Sequence, residues 1–330
     1  MNSEIIKNNF ADKRLKIALA LPGCGAGAIA VIGMIEELVE QGVPIDMIAA
    51  CSSTSIVAVA YASGTLPVLK RWYIDIAEKG FSKMFKRSLE AGIFSMEPLA
   101  KVLQNIIPVE NIEDLNIPVA ISTSDLVSGT EVPLTMGNII RAVQASCSYP
   151  GLFEPIRWGN RVLVDGGLFS VIPTDSARAF GADLVIAIEM HNQPYIILPI
   201  LLRIKEWLNI FKKAVWTRVG SIQAFHEEYS EHRHFGFFRI LGVAVDYAIA
   251  EQNKIPRYDC DLLIDFDAGR TKAFELKNVG KLYEQGREVI RRSMPAIREL
   301  MQNGPLPKTA EDILETAKSA PALTRSEAKL

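Results

Sequence analysis

The 330-residue chain is poor in the residues that staple or metallate small folds, with four cysteines and four histidines. Cys24, Cys51, Cys147 and Cys260 lie far apart and form no CxxC pair. That spacing argues against a disulfide framework or a structural zinc and for reduced thiols in the cytoplasm. An excess of one charge is also lacking. The 36 basic and 38 acidic residues leave a net charge of −2, so there is no global electrostatic footprint for nucleic acid. No apolar run reaches 18 residues, because Arg203, Lys205 and Glu206 interrupt the greasiest stretch, and no transmembrane helix is expected. The first apolar run, Leu15 to Leu21, is too short and too late for a signal peptide. With 49% hydrophobic and 22% charged residues and a mean hydropathy of +0.16, the composition also excludes disordered and collagen-like chains.

What is present is alternation. Leu15 to Leu21 runs into the small-residue loop Pro22 to Ala28 and then a helical pattern through Gln41, closed by Gly42. Met47 to Ala50 reads as a second buried strand, Cys51 to Ser55 as a tight turn, and Ile56 to Ser63 as a helix. Further strands are expected at Ile117 to Asp125, Arg161 to Val164, Leu184 to Glu189 and Cys260 to Phe266. Helices are expected at Asn138 to Ser146, Pro173 to Phe180 and Phe274 to Met301. Apolar strands alternating with helices predict an α/β class with a parallel sheet covered on both faces. The expected organisation is a polar segment over 1–14, one domain over 15–303 with a cap insertion at about 191–253, and a loose tail over 304–330.

The chemistry gathers at three strand ends. Cys51-Ser52-Ser53-Thr54-Ser55 lies between a strand and a helix, where a serine on a sharp turn has its hydroxyl exposed and the helix N-terminus behind it. Centred on Ser53, this is a G-x-S-x-G elbow with Cys51 and Ser55 in the glycine positions. The loop Gly23-Cys24-Gly25-Ala26-Gly27-Ala28 also joins a strand to a helix. Its backbone N–H groups, with that of Thr54, can converge on an oxyanion. Asp165, followed by Gly166 and Gly167, ends its own strand and would be delivered to the same edge of the sheet.

Beyond these motifs, the chain carries GVPIDMIAA, YASG, GIFSMEPL, IEDLNIPVAISTSDLVSG, ASCSYPGLFEPI and VLVDGGLFSVIPTDSARAFGADLVIAI in that order. In these blocks it resembles the bacterial patatin-like lipid acyl hydrolases over most of residues 15–190, and more weakly over 258–300. The resemblance implies a three-layer α/β/α fold and a Ser-Asp dyad without histidine. Ser53 would attack an acyl ester, Asp165 would act as general base, and the loop with Gly23, Cys24 and Gly25 would form the oxyanion hole. No metal or organic cofactor is implied. The chain departs from the family loop G-G-G-x-R-G at Cys24, Gly27 and Ala28, and loss of the arginine removes a positive charge from the site.

Other readings of these residues stay open. Ser52 can replace Ser53 as nucleophile. His191 follows Asp165 and could complete a Ser, Asp, His order, and Gly23-x-Gly25-x-x-Ala28 fits a dinucleotide fingerprint that lacks its acidic partner. His226, His232 and His234 with Glu227, Glu228 and Glu231 could be offered as metal ligands, against a solvated charged helix face.

The segment Pro199 to Ile222 places Leu201, Ile204, Leu208, Phe211, Val215 and Val219 at helical spacing, with Arg203, Lys205, Lys212, Lys213 and Arg218 on other faces. Carrying Trp207 and Trp216, it is a basic amphipathic helix suited either to an anionic membrane surface or to packing on the body or in a homodimer. The expected function is hydrolysis of fatty acyl esters of phospholipids, lysophospholipids or neutral lipids at the membrane periphery. The alternatives are an impaired homologue acting as a lipid- or protein-binding module, and an acyltransferase or thioesterase using the same acyl-enzyme.

Overall fold

The computed structural model describes residues 14–79, 86–87, 94–191, 244, 258–268 and 279–305. The expected cap, most of the expected tail, the His226 to His234 cluster, and Trp207, Lys212, Lys213 and Trp216 lie outside them.

The architecture is a mixed α/β fold with a mostly parallel central sheet flanked by helices. Strands β1 (Ile17–Leu21), β2 (Met47–Cys51), β3 (Val119–Asp125), β4 (Thr130–Leu134), β5 (Ile156–Trp158), β6 (Arg161–Asp165), β7 (Leu184–His191) and β8 (Leu262–Asp267) form one sheet. Its order is β8-β7-β1-β2-β3-β6-β5, with β4 also paired to β3. The run from β8 to β3 is parallel. β4 and β6 are each antiparallel to β3, and β5 to β6.

The α-helices with described bounds are α1 (Ala28–Glu40), α2 (Ser53–Ala62), α3 (Leu66–Lys79), α4 (Glu97–Ile106), α5 (Ile139–Ser146), α6 (Thr174–Ala179) and α7 (Val279–Asn303), and Lys86–Arg87 pairs with Phe94–Ser95 in a separate two-stranded sheet. The strand period of two sorts the core. Ile17, Leu19 and Leu21 face the larger hydrophobic layer, which includes α1, α2, α5 and α7, while Ala18 and Ala20 face a smaller layer with Ala177 of α6. β1, β2 and β3 are buried along their whole length, as a two-sided sheet requires. The continuous apolar runs read from the sequence therefore fall on strands, and β4 and β5 are added at the antiparallel end.

The last helix closes the larger layer against α1. At their crossing, a Cβ on Gly33 would lie 2.3 Å from the Tyr283 carbonyl oxygen, and one on Gly286 would lie 2.1 Å from that of Ala30. The two backbones meet because neither residue has a side chain. Beside this contact, Glu37 is buried, and its carboxylate is held by Arg287 and Arg291. A charge taken from water here keeps its partners.

Replacing Gly286 by Ala should separate the helices and lower stability by roughly 1–3 kcal/mol. Gly280→Ala on the same helix, where a Cβ meets nothing within 4 Å, should leave the melting temperature unchanged or raised. Equal melting temperatures for the two variants would contradict the close-packed crossing.

Candidate active site

β3 brings the site together. β4 occupies one edge of β3, opposite residues 121–125. The other edge is shared: β2 pairs with residues 119–122 and β6 with residues 123–125. β2 runs parallel to β3 and ends with Cys51 beside Ser122, and β6 runs antiparallel and ends with Asp165 beside Thr123. Two strands thus point their carboxyl ends at one another across adjacent register positions. Asp165 reaches the site from the direction opposite to the one expected for a parallel strand.

The turn is also tighter than the five residues expected. Cys51 still belongs to the ladder and α2 already begins at Ser53, so Ser52 alone makes the reversal. It does so at φ 54 and ψ −130, and it is the sole non-glycine residue with positive φ among the described residues. Such a conformation costs about 1–3 kcal/mol and persists only where the surroundings impose it.

The strain aims the side chain. Ser52 Oγ donates to Asp165 Oδ2 at 2.6 Å. The other Asp165 oxygen accepts from the Gly167 amide at 2.9 Å, and the Cys51 thiol lies 3.9 Å from it. Asp165 is 6% exposed, and burial raises its pKa from 3.8 to about 6 against the lowering effect of the Ser52, Gly167 and Cys51 hydrogen bonds. The result is a carboxylate ionised near neutrality that nonetheless favours a proton, bonded to a hydroxyl on a strained turn.

The pairing expected between Ser53 and Asp165 is therefore corrected to Ser52. Ser53 is the first residue of α2, and its hydroxyl turns to Cys24 Sγ at 3.6 Å. The elbow shifts with it, so the positions two before and two after its apex are Ala50 and Thr54, not Cys51 and Ser55. Cys51 is the residue before the apex, and Ser55 caps it by donating its amide and hydroxyl to the Ser52 carbonyl at 2.9 and 2.6 Å. Thr54 is buried, with Oγ1 within 2.8 Å of the Cys51 carbonyl and 2.9 Å of the Pro22 carbonyl. Its hydroxyl thereby ties the elbow to the exit of β1.

The glycine loop does lie against the elbow. A Cβ on Gly23 would sit 3.2 Å from Ser52 Cβ, so a side chain there would crowd the hydroxyl. The Gly23 amide, expected to serve an oxyanion, instead donates to the Val171 carbonyl at 3.1 Å. Gly25 turns at φ 54. At the position of the family arginine, a Cβ on Gly27 would lie 2.6 Å from Met190 Sδ, so a thioether fills the ground beside that residue.

Three thiols surround the pair. Cys24, Cys51 and Cys147 all have their pKa pushed up by burial, Cys24 to about 12. They are neutral packing groups at physiological pH. His191 lies within 3.0 Å of Asp265 instead of completing a triad. The first glycine of the Asp165 motif makes a close approach, since a Cβ on Gly166 would lie 2.5 Å from the Ser122 carbonyl oxygen.

The model of the family "Patatin-like phospholipase" matches residues 19–178, a span that holds β1, the glycine loop, the elbow and Asp165. Over these residues the chain is similar to the patatin-like phospholipases. Among relatives, an uncharacterized NTE family protein of Mycobacterium tuberculosis is 31% identical over 178 residues, covering 54% of this chain and 49% of that protein. The mouse patatin-like phospholipase domain-containing protein 7 is 32% identical over 189 residues, covering 54% of this chain and 14% of that protein. The chain therefore spans about half the length of the mycobacterial relative and far less of the mouse protein. Among solved structures, VipD from Legionella pneumophila is similar at 12% identity with a TM-score of 0.40, over 85% of this chain and 67% of that one. Within the patatin-like framework the chain keeps a serine at the elbow apex and the aspartate, and it differs around them.

The raised pKa of Asp165 has a consequence for stability. Because the folded state binds this proton more tightly than the unfolded chain, the group's favourable contribution is complete below about pH 4. It is lost as pH rises through about 6, for a change on the order of 3 kcal/mol. Asp165→Asn carries no titrating group there. Its melting temperature relative to the original protein should therefore be higher at pH 8 than at pH 4.5. A difference that does not vary with pH would contradict the buried, proton-favouring carboxylate.

Proposed function

We propose that this protein hydrolyses acyl esters of lipids through a covalent acyl-enzyme on Ser52, with Asp165 as general base. The observation that carries the reading is the 2.6 Å hydrogen bond from Ser52 Oγ to Asp165 Oδ2 on a turn with φ 54. The match of residues 19–178 to the patatin-like phospholipase family supports lipid esters as the substrate class. The basic, tryptophan-bearing segment 199–222 is the sequence feature suited to a lipid interface.

In the first half-reaction the Ser52 oxygen bonds to the ester carbonyl carbon as its proton moves to Asp165 Oδ2. Collapse of the tetrahedral species breaks the bond to the leaving alcohol, which takes that proton. In the second half-reaction water gives its proton to Asp165 and its oxygen to the acyl carbon. The fatty acid leaves, and the proton returns to Ser52. The oxyanion would face the Ser53 amide at the start of α2 and the glycine loop around Cys24 and Gly25. Among the described residues the Ser53 amide has no acceptor. With Gly23 bonded to Val171 and no arginine at position 27, this hole has fewer donors than the family loop suggests, and turnover should be modest.

With p-nitrophenyl butyrate, Ser52→Ala and Asp165→Asn should each lose turnover by at least roughly 10³-fold, while Ser53→Ala keeps most of it. The kcat/KM of the unsubstituted protein should rise with pH through about 6, as Asp165 ionises. Loss of turnover in Ser53→Ala with retention in Ser52→Ala would return the nucleophile to Ser53. Absence of turnover in the unsubstituted protein on any acyl ester, with binding to lipid vesicles retained, would favour a lipid-binding homologue. Product formed with an added alcohol or thiol in place of water would identify an acyltransferase.

A further inference from the structure

The ASCSYPGLFEPI block contributes nothing to the chemistry above, yet its first turn touches both reacting residues. Ser146 is the last residue of α5 and is fully buried. Its Oγ accepts the Ser52 amide at 2.8 Å and donates to the Ser122 carbonyl at 2.6 Å. Two residues on, the Ser148 carbonyl accepts the Asp165 amide at 3.0 Å. Between them, the Cys147 thiol neighbours the hydroxyls of Ser52 and Ser55.

The direction of each bond is forced. A carbonyl can only accept and an amide can only donate, so the one proton of Ser146 must go to Ser122 and a lone pair must face Ser52. Ser122 is also the β3 residue beside Cys51, which closes a short ring through β2, the elbow, Ser146 and β3. The turn is itself rigid: the Cys147 and Ser148 amides donate to the Val143 and Ala145 carbonyls, and the Ser148 hydroxyl to that of Gln144.

We propose that the turn Ser146–Cys147–Ser148 is the positioning clamp of the Ser52–Asp165 pair, with Ser146 as the positioning residue that holds Ser52 in its strained conformation. The inference rests on the reading of Ser52 as nucleophile. Ser146 touches no substrate. It sets the amide of Ser52 while the same turn sets the amide of Asp165, so the distance between the two side chains is fixed by three consecutive residues. Without the Ser146 oxygen, the Ser52 amide is left buried without its partner, the turn relaxes toward ordinary φ, and the hydroxyl leaves the carboxylate.

The test compares Ser146→Ala with Val143→Ala, which removes buried methyl groups from the same helix and neither hydrogen bond. In Ser146→Ala, kcat on p-nitrophenyl butyrate and the rate of fluorophosphonate labelling should fall roughly 10²-fold, with little change in KM. The acid limb of kcat/KM should also move to higher pH, because the Ser52 hydroxyl is among the groups that hold the Asp165 pKa down. The other titratable groups facing Asp165 are Cys51, Cys147 and Tyr149, all pushed up by burial and neutral across this range. Val143→Ala should lose thermal stability and keep the acid limb in place. Should Ser146→Ala fail to fold, Ser146→Cys keeps the size of the side chain with a weaker acceptor, and it should show the same shift to a smaller degree.

Unchanged kcat and an unmoved acid limb in a folded Ser146 variant, with Ser52→Ala inactive, would overturn the clamp and leave the nucleophile standing. Full activity in Ser52→Ala would overturn the reading beneath it.

Discussion

Two strands that converge on one edge of β3 create the site. β2 and β6 occupy successive positions along that edge and run toward each other, so the chain leaving β2 must turn away within one residue of meeting Asp165. That geometric demand produces the positive φ of Ser52 and the short contact between its hydroxyl and the carboxylate. It also explains why Gly166 has no side chain, since the chain leaving β6 passes against the Ser122 backbone. Glycine loop, elbow and aspartate motif are three local answers to one crowded junction.

Electrostatics at the elbow centres on the Asp165 carboxylate. Among the described residues no cation bonds to Asp165; its partners there are a hydroxyl, an amide and a thiol. Burial raises the proton affinity of the carboxylate, and these hydrogen bonds hold it down far enough to keep the charge near neutrality, the condition a base needs in order to take a proton and return it. The three neighbouring thiols add bulk and little polarity, and Met190 extends the apolar lining to the place beside Gly27. The substitutions that set this chain apart from the family loop thus make the surroundings of Ser52 and Asp165 less polar while leaving the two side chains in contact.

Much of this was legible in the amino-acid sequence, for identifiable reasons. Buried parallel strands are largely apolar, so β1, β2 and the first half of β7 stood out, and each functional loop was marked by small residues between a strand and a helix. The identity of the apex serine was not legible. Ser52 and Ser53 are chemically identical, and with both elbow glycines replaced nothing local marked the centre of the turn. Only the β2–β3 register, which keeps Cys51 in the ladder, assigns the turn to Ser52. The direction of β6 escaped for a similar reason, since a strand of five residues carries no mark of being parallel or antiparallel. Ser146 was hidden because a serine at a helix end is ordinary, and its significance lies in a hydrogen bond to a residue 94 positions away.

The most direct test of this account is to find which serine, if either, reacts as a nucleophile. The protein should be labelled with a fluorophosphonate, digested, and the modified residue located by fragmentation mass spectrometry of the peptide containing Cys51 to Ser55. A phosphonyl group on Ser52 is the result predicted from the strained turn and its hydrogen bond to Asp165. A phosphonyl group on Ser53, or no modification in the folded protein, would contradict it.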